Sequence, residues 1–106
     1  MIPLQFHVRT ERVEGVPKKK FEGNPRDHYY VRMFIEGQTP SALDNVKYVI
    51  YELHPTFRNP KRISEDRHNN FELKIWTWGF FNVNCQVFLK SGDMIGIKGN
   101  VKYDVD

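Results

Sequence analysis

The groups that could do covalent or metal chemistry in this chain are four histidines, one cysteine and thirteen carboxylates. His7, His28, His54 and His68 show none of the close pairings that metal sites use, and Cys85 is alone, so neither a zinc cluster nor an internal disulfide is expected. No Ser-His-Asp order, phosphate-cradling glycine loop or paired-carboxylate motif occurs, and Glu65-Asp66 reads as a solvated turn. The expectation is a protein that is not an enzyme and uses no cofactor. Two other segments stand out. One is Leu53-His54-Pro55-Thr56-Phe57, with Asn59-Pro60 and Arg62 following; the other is Trp76-Thr77-Trp78-Gly79-Phe80-Phe81. Strand formation alone does not explain either. Phe57 sits in a proline-flanked stretch outside any strand, an odd place for a core ring.

Plainer readings exist for each of these residues. Trp78 before a glycine could be a core tryptophan at a strand start. His54 could be structural, bonded to backbone, and Thr56 could cap a turn. Trp76 reads as structural, and Cys85, on the apolar side of its strand, as core packing.

The elements that must carry these segments are strands. Val83, Cys85, Val87 and Leu89 alternate with Asn82, Asn84, Gln86 and Phe88, and Ile95, Ile97, Val101, Tyr103 and Val105 with Met94, Gly96, Lys98, Asn100, Lys102 and Asp104, so both stretches read as antiparallel strands with one wet face. Both carry their apolar residues at odd numbers, so cross-strand partners must sum to an even number. A two-residue loop at Ser91-Gly92 breaks that parity. A three-residue turn, Lys90-Ser91-Gly92, keeps it, with Leu89 opposite Asp93, Val87 opposite Ile95, and Gly92 at the position needing positive φ. Upstream, Tyr29–Ile35 and Val46–Leu53 are rich in β-branched and aromatic residues between turn formers, and Leu4–Val8 and Phe71–Trp76 are shorter candidates. Ser41 to Asp44 makes one helical turn at most. Residues 10–26 read as a basic loop, with Pro17 to Arg26 its clearest part. The chain has 106 residues, 14% of them aromatic, enough for one core and no separate catalytic lobe. The fold class expected is all-β: an immunoglobulin-like antiparallel β-sandwich of about seven to eight strands, with 1–106 as a single domain.

The two unusual segments together resemble the signature loops of YEATS domains, L-H-P-[ST]-F-x-N-P-x-R and G-W-G-x-F. The resemblance extends over residues 24–105 and, through its L-H-P-T-F wording, is nearest the prokaryotic branch of the family. Thr77 stands where the family usually has glycine, Phe80 where Glu is common, and Val31 where tryptophan is usual. The resemblance implies a reader of acylated lysine, acetyl or crotonyl, or of a similar planar group. Phe57 and Trp78 would wall an aromatic slot, Thr56 would bond the acyl amide, and His54 would brace the first loop. The Trp78 backbone N–H, with Gly79 beside it and Thr77 before it, would meet the acyl carbonyl. The ligand-binding set is thus His54, Thr56, Phe57, Thr77, Trp78 and Gly79, with no catalytic or metal residue.

For Phe57 and Trp78 to meet, their loops must lie at one end of the sandwich. Strand 46–53 runs toward that end, and a direct continuation into 71–76 would run away from it. An extra short strand is required, with Lys61–Ser64 the candidate and 65–70 turning at the opposite end.

The expected partner is a peptide or protein bearing acyl-lysine, bound by a monomer. An alternative is a protein–protein module of a bacterial signalling or defence system with a non-acyl ligand. Another is a weak nucleic-acid-binding β domain, with charge from Lys18 to Lys20, Arg58, Lys61, Arg62 and Arg67. A net charge of +3, interspersed acids and no OB or RRM signature argue against nucleic acid. The run Lys18-Lys19-Lys20 is either a solvated linker or a contact for an acidic partner. No apolar run nears the ~18 to 20 residues of a membrane span, and a cytoplasmic location is expected, nuclear in a eukaryote.

Overall fold

The alternating segments pair as antiparallel ladders in the computed structural model, which describes residues 5–105. Its strands are β1 (Phe6–Arg12), β2 (Lys19–Lys20), β3 (Asp27–Gly37), β4 (Val46–Glu52), β5 (Lys61–Ser64), β6 (Leu73–Thr77), β7 (Phe81–Leu89) and β8 (Met94–Val101). One sheet is built around β3, which pairs with β1, β2 and β6; the other has the order β5-β4-β7-β8. Tyr29, Val31, Met33 and Ile35, the odd residues of β3, are buried, as are Val49 and Tyr51 of β4 and Val83, Cys85 and Val87 of β7. Period-two patterning thus supplies two inner faces, and the aliphatic and aromatic side chains between them form the core. Among the described residues no helix is long and apolar enough to cross a membrane.

The β7–β8 turn has the parity the sequence requires. Val87 lies opposite Ile95 and Phe88 opposite Met94. The Leu89 N–H donates to the Asp93 carbonyl at 2.8 Å, and Gly92 takes φ +96°. Lys61–Ser64 is a strand, antiparallel to β4. The turn at 41–44 is a short 3-10 segment, Pro40–Asn45.

The basic loop expected over 10–26 is corrected in two places. Residues 10–12 complete β1, and Lys19 and Lys20 pair with His28 and Asp27. The cause is local and electrostatic. Asp27 draws Lys18 to 3.3 Å and Lys20 to 3.8 Å, while the Lys19 ammonium lies over the Trp76 ring. The last ladder ends at Val101, short of the expected Val105, and Tyr103 packs against Tyr29 at 5.1 Å. Leu4, the expected start of the first strand, lies outside the described residues.

Two ends result. The 53–60 and 78–80 connections share one end, because the short β5 returns the chain before β6 runs back. At the other end the Arg67 guanidinium donates to the Asp44 carboxylate and the Pro40 carbonyl, each at 2.9 Å, tying the 65–70 connection to the 3-10 turn. The buried Tyr51 hydroxyl donates to the Phe71 carbonyl just beyond that connection.

Candidate functional site

The first loop is shaped by its own hydrogen bonds. Leu53 N–H donates to the Pro60 carbonyl at 2.8 Å, closing the base, and Phe57 N–H donates to the His54 carbonyl at 3.0 Å, making the turn at its tip. Asn59 adopts φ +53°, a left-handed conformation that Asn tolerates. Arg62, from β5, donates to the carbonyls of Asn59 and Arg58 at 2.6 and 2.8 Å, so one guanidinium holds the C-terminal half of the loop. This gives the Asn-Pro and Arg of the sequence pattern a mechanical role.

His54 orders the tip from within. Its Nδ1 accepts the Thr56 N–H at 3.3 Å and lies 2.9 Å from Thr56 Oγ1. A nitrogen that accepts a backbone N–H carries no proton, so the tautomer is Nε2–H and the Thr56 hydroxyl is the donor to Nδ1. The hydroxyl proton is thereby committed to His54. The hydroxyl lone pairs, on an exposed residue, are left for an incoming N–H.

The second loop is braced differently. The Thr77 side chain, only 4% exposed, donates its hydroxyl proton to the Gly79 carbonyl at 3.0 Å and accepts the Gly79 N–H at 3.4 Å. Thr77 therefore acts inward as a clasp. Its carbonyl accepts from the Tyr103 hydroxyl at 3.5 Å; burial raises that phenol above its ordinary value, with Tyr29 adding to the effect. The clasp turns Trp78 out of the core, and its side chain is 45% exposed. Among the described residues the Trp78 N–H has no hydrogen-bond partner.

All six residues expected at the site line one cleft of about 360 Å³. Phe57 is half-buried and rests on Phe81 at 5.2 Å with 52° between the rings, whereas among the described residues Trp78 stacks on no other ring and carries the Arg26 guanidinium 4.0 Å from its centroid. Phe57 and Trp78, from separate loops, both line the cleft. Phe80 meets Tyr103 edge-on at 4.9 Å and also lines the cleft. The remaining lining includes Asn24, His28, Arg58 and Trp76, and no carboxylate. Trp76 is on the outer face of its sheet, tilted against Tyr30 at 4.8 Å, so the reading of it as purely structural is corrected: it is also a wall of the cleft. His28 Nδ1–H donates to the Arg26 carbonyl at 3.0 Å and its ring meets Phe21 at 4.7 Å. Asn24 and His28 carry no sequence signal of this role; they reach the cleft because the 21–26 connection ends beside it.

Such a cleft can take a flat, neutral group between rings, give its N–H an oxygen at Thr56 and give its carbonyl an N–H at Trp78. Among the described residues there is no cluster of His, Cys, Asp and Glu disposed to hold a metal.

Comparison with known proteins agrees with this architecture. A family model described as the prokaryotic YEATS domain matches residues 29–101. The protein named AF-9 homolog from Schizosaccharomyces pombe is 33% identical over 73 residues, which take in 67% of this chain but only 33% of that relative's length. Among solved structures, the yeast AF-9 homolog protein Yaf9 superposes with a TM-score of 0.65 at 22% identity, over 95% of this chain and 70% of that one. The Yaf9 YEATS domain bound to H3K27ac superposes at 0.63 with 22% identity, covering 100% of this chain and 79% of that one. The same domain recognizing an H3K122suc peptide gives 0.63 at 21% identity, over 97% and 78%. At these identities the structural likeness establishes the β-sandwich.

Proposed function

Since this chain belongs to the prokaryotic YEATS domain family, we propose that it is a non-enzymatic binding module whose ligand is an acylated lysine, gripped in the cleft between Phe57 and Trp78. One observation carries the reading. Two separate loops bring an accessible ring each to the same cleft, and beside those rings lie a hydroxyl oxygen and a backbone N–H that the protein itself leaves unsatisfied.

The physical logic follows from what acylation does. It removes the lysine charge, so the group enters a cleft at far less desolvation cost than an ammonium. Its amide plane stacks on ring faces, each contact worth about 0.5 to 1.5 kcal/mol beyond burial. Its N–H donates to Thr56 Oγ1 and its carbonyl accepts from Trp78 N–H; either group left unpaired would cost roughly 1 to 3 kcal/mol. Thr77 and His54 position these two groups and need not touch the ligand. That the Yaf9 YEATS domain is seen bound to H3K27ac and recognizing an H3K122suc peptide supports an acylated-lysine ligand.

The test is calorimetric titration with acetyl-lysine, crotonyl-lysine and unmodified-lysine peptides, against the parent and the Phe57→Ala and Trp78→Ala variants. Acylated peptides should bind and the unmodified one should not, with each alanine weakening binding by about tenfold. Alanine variants that bind like the parent would remove the slot.

A further inference from the structure

Acyl-lysine chemistry makes no use of the cations that ring the cleft. Arg58 lines it. The Arg26 guanidinium sits 4.0 Å from the Trp78 ring centroid, and Lys19 Nζ sits 4.4 Å from that of Trp76. They come from three separate segments: the 53–60 connection, the 21–26 connection and β2. Among the described residues none of the three has a carboxylate partner. Several cations elsewhere are paired, Arg32 with Glu11 and Glu72, Arg67 with Asp44 and Lys74 with Glu72, while others such as Lys47, Lys98 and Lys102 face solvent singly among the described residues. What sets Arg58, Arg26 and Lys19 apart is that they gather at one cleft. The nearby Asp27 is taken by Lys18 and Lys20, and no Asp or Glu lines the cleft.

We infer that the polypeptide presented to this cleft is acidic around its modified lysine, with Asp or Glu side chains that pair with Arg58, Arg26 and Lys19. The inference rests on the acyl-lysine reading of the cleft and adds the sequence class of the partner. The indole and phenyl faces hold Arg26 and Lys19 in place by cation–π attraction, which uses their flat or apolar approach and leaves N–H donors for carboxylates. Unpaired charges of one sign around a concave mouth attract acidic segments and repel basic ones, so they act on partner choice and encounter rate more than on total affinity. The rim suits a peptide better than a nucleic acid. It is a set of separate points beside Asp27, not a continuous phosphate track, and the whole chain carries only +3.

Three acetyl-lysine peptides, identical except for flanks of Asp/Glu, Ser/Gly or Lys/Arg, test this by fluorescence anisotropy at low and high salt, with an unacetylated acidic peptide and a single-stranded oligonucleotide as further arms. The acidic-flanked peptide is expected to bind about tenfold tighter than the basic-flanked one at low salt, with the gap closing as salt screens it. In the Lys19→Gln/Arg26→Gln variant the ratio of the two affinities should fall toward one; the ratio is the readout, so a general weakening does not count. Equal binding of all three peptides overturns the acidic-partner inference and leaves the slot standing. Binding of the acidic peptide regardless of acetylation overturns the slot reading instead, and silence of every peptide overturns both. An oligonucleotide that binds more tightly than the acidic peptide, and loses that binding in the same variant, assigns the cations to nucleic acid and overturns the inference.

Discussion

Replacing Thr56 by valine keeps the side-chain shape and removes only the hydroxyl. Because that hydroxyl is exposed and bonded to His54 at 2.9 Å, its loss should change folding stability by no more than about 0.5 to 1 kcal/mol, the net value of an ordinary hydrogen bond. The ligand suffers more. Its amide N–H, desolvated between Phe57 and Trp78, would lose its acceptor and bear a penalty of about 1 to 3 kcal/mol, or roughly 5- to 150-fold in Kd. His54→Leu should weaken binding less, by about 0.5 to 1 kcal/mol, because it frees the hydroxyl proton without removing the oxygen. If His54 works only by committing that proton, its contribution vanishes once the hydroxyl is gone. The double variant should then bind like Thr56→Val alone, and the coupling energy should equal the whole effect of His54→Leu. Isothermal titration with an acetyl-lysine peptide, alongside denaturant melts of all four proteins, measures both quantities. Strictly additive losses in affinity would refute the proposed relay from Nδ1 through the hydroxyl to the ligand.

Two further outcomes concern the scaffold. Tyr51→Phe strands the buried Phe71 carbonyl and should lower unfolding free energy by about 1 to 3 kcal/mol in a urea melt, leaving acyl-lysine affinity unchanged since Tyr51 does not line the cleft. Alkaline pH should also destabilise the fold. Burial pushes the Cys85 thiol from its ordinary 9.0 up to about 12, so the native state holds the proton more tightly than the unfolded chain. That contribution is complete below pH 9 and is lost as pH rises from there toward 12, by about 1.4 kcal/mol per unit. Cys85→Ala should flatten the loss only in part, because burial first, and the neighbouring Cys85 and Glu72 next, raise the Tyr51 phenol too. A melt whose alkaline slope is the same with and without the thiol contradicts this assignment.

The parts of the fold legible in the sequence are those governed by period-two patterning and turn chemistry. Odd-numbered apolar residues on both sides of Lys90-Ser91-Gly92 determine the length of that turn by parity alone, and the ladder has Val87 opposite Ile95. The return strand Lys61–Ser64 was legible for a different reason. Its pattern is poor, with Ile63 outward and Ser64 buried, but two loops cannot share an end without it. What was not legible is interaction perpendicular to the chain. Lys19-Lys20 lacks any apolar alternation, and its strand pairing comes from Asp27 and Trp76, which lie seven or more positions away in sequence.

The same limit applies to the cleft residues that carry no motif. Phe57, Trp78 and their neighbours lie on the two loops whose wording is unusual, so residue type alone marked them. Trp76, two positions before Trp78, alternates to the outer face of its sheet, where a ring ordinarily faces water or a neighbour on the same face. It becomes part of a concave surface only because Phe21 and His28, from the 21–26 connection and the start of β3, rise beside it, with Phe21 at 5.7 Å and Lys19 on its face. One side of the cleft is therefore built by the two loops that carry Phe57 and Trp78. The other is built by a basic segment with no motif, on which no pattern search would settle. On the proposed acyl-lysine reading, a site divided in this way separates two properties physically: the loops would read the acylation of a lysine, and the basic side the polypeptide that carries it. A change at Lys19, which lies on Phe21 and Trp76 and not on Phe57 or Trp78, should accordingly move partner preference while acyl recognition by Thr56, Phe57 and Trp78 stays where it is.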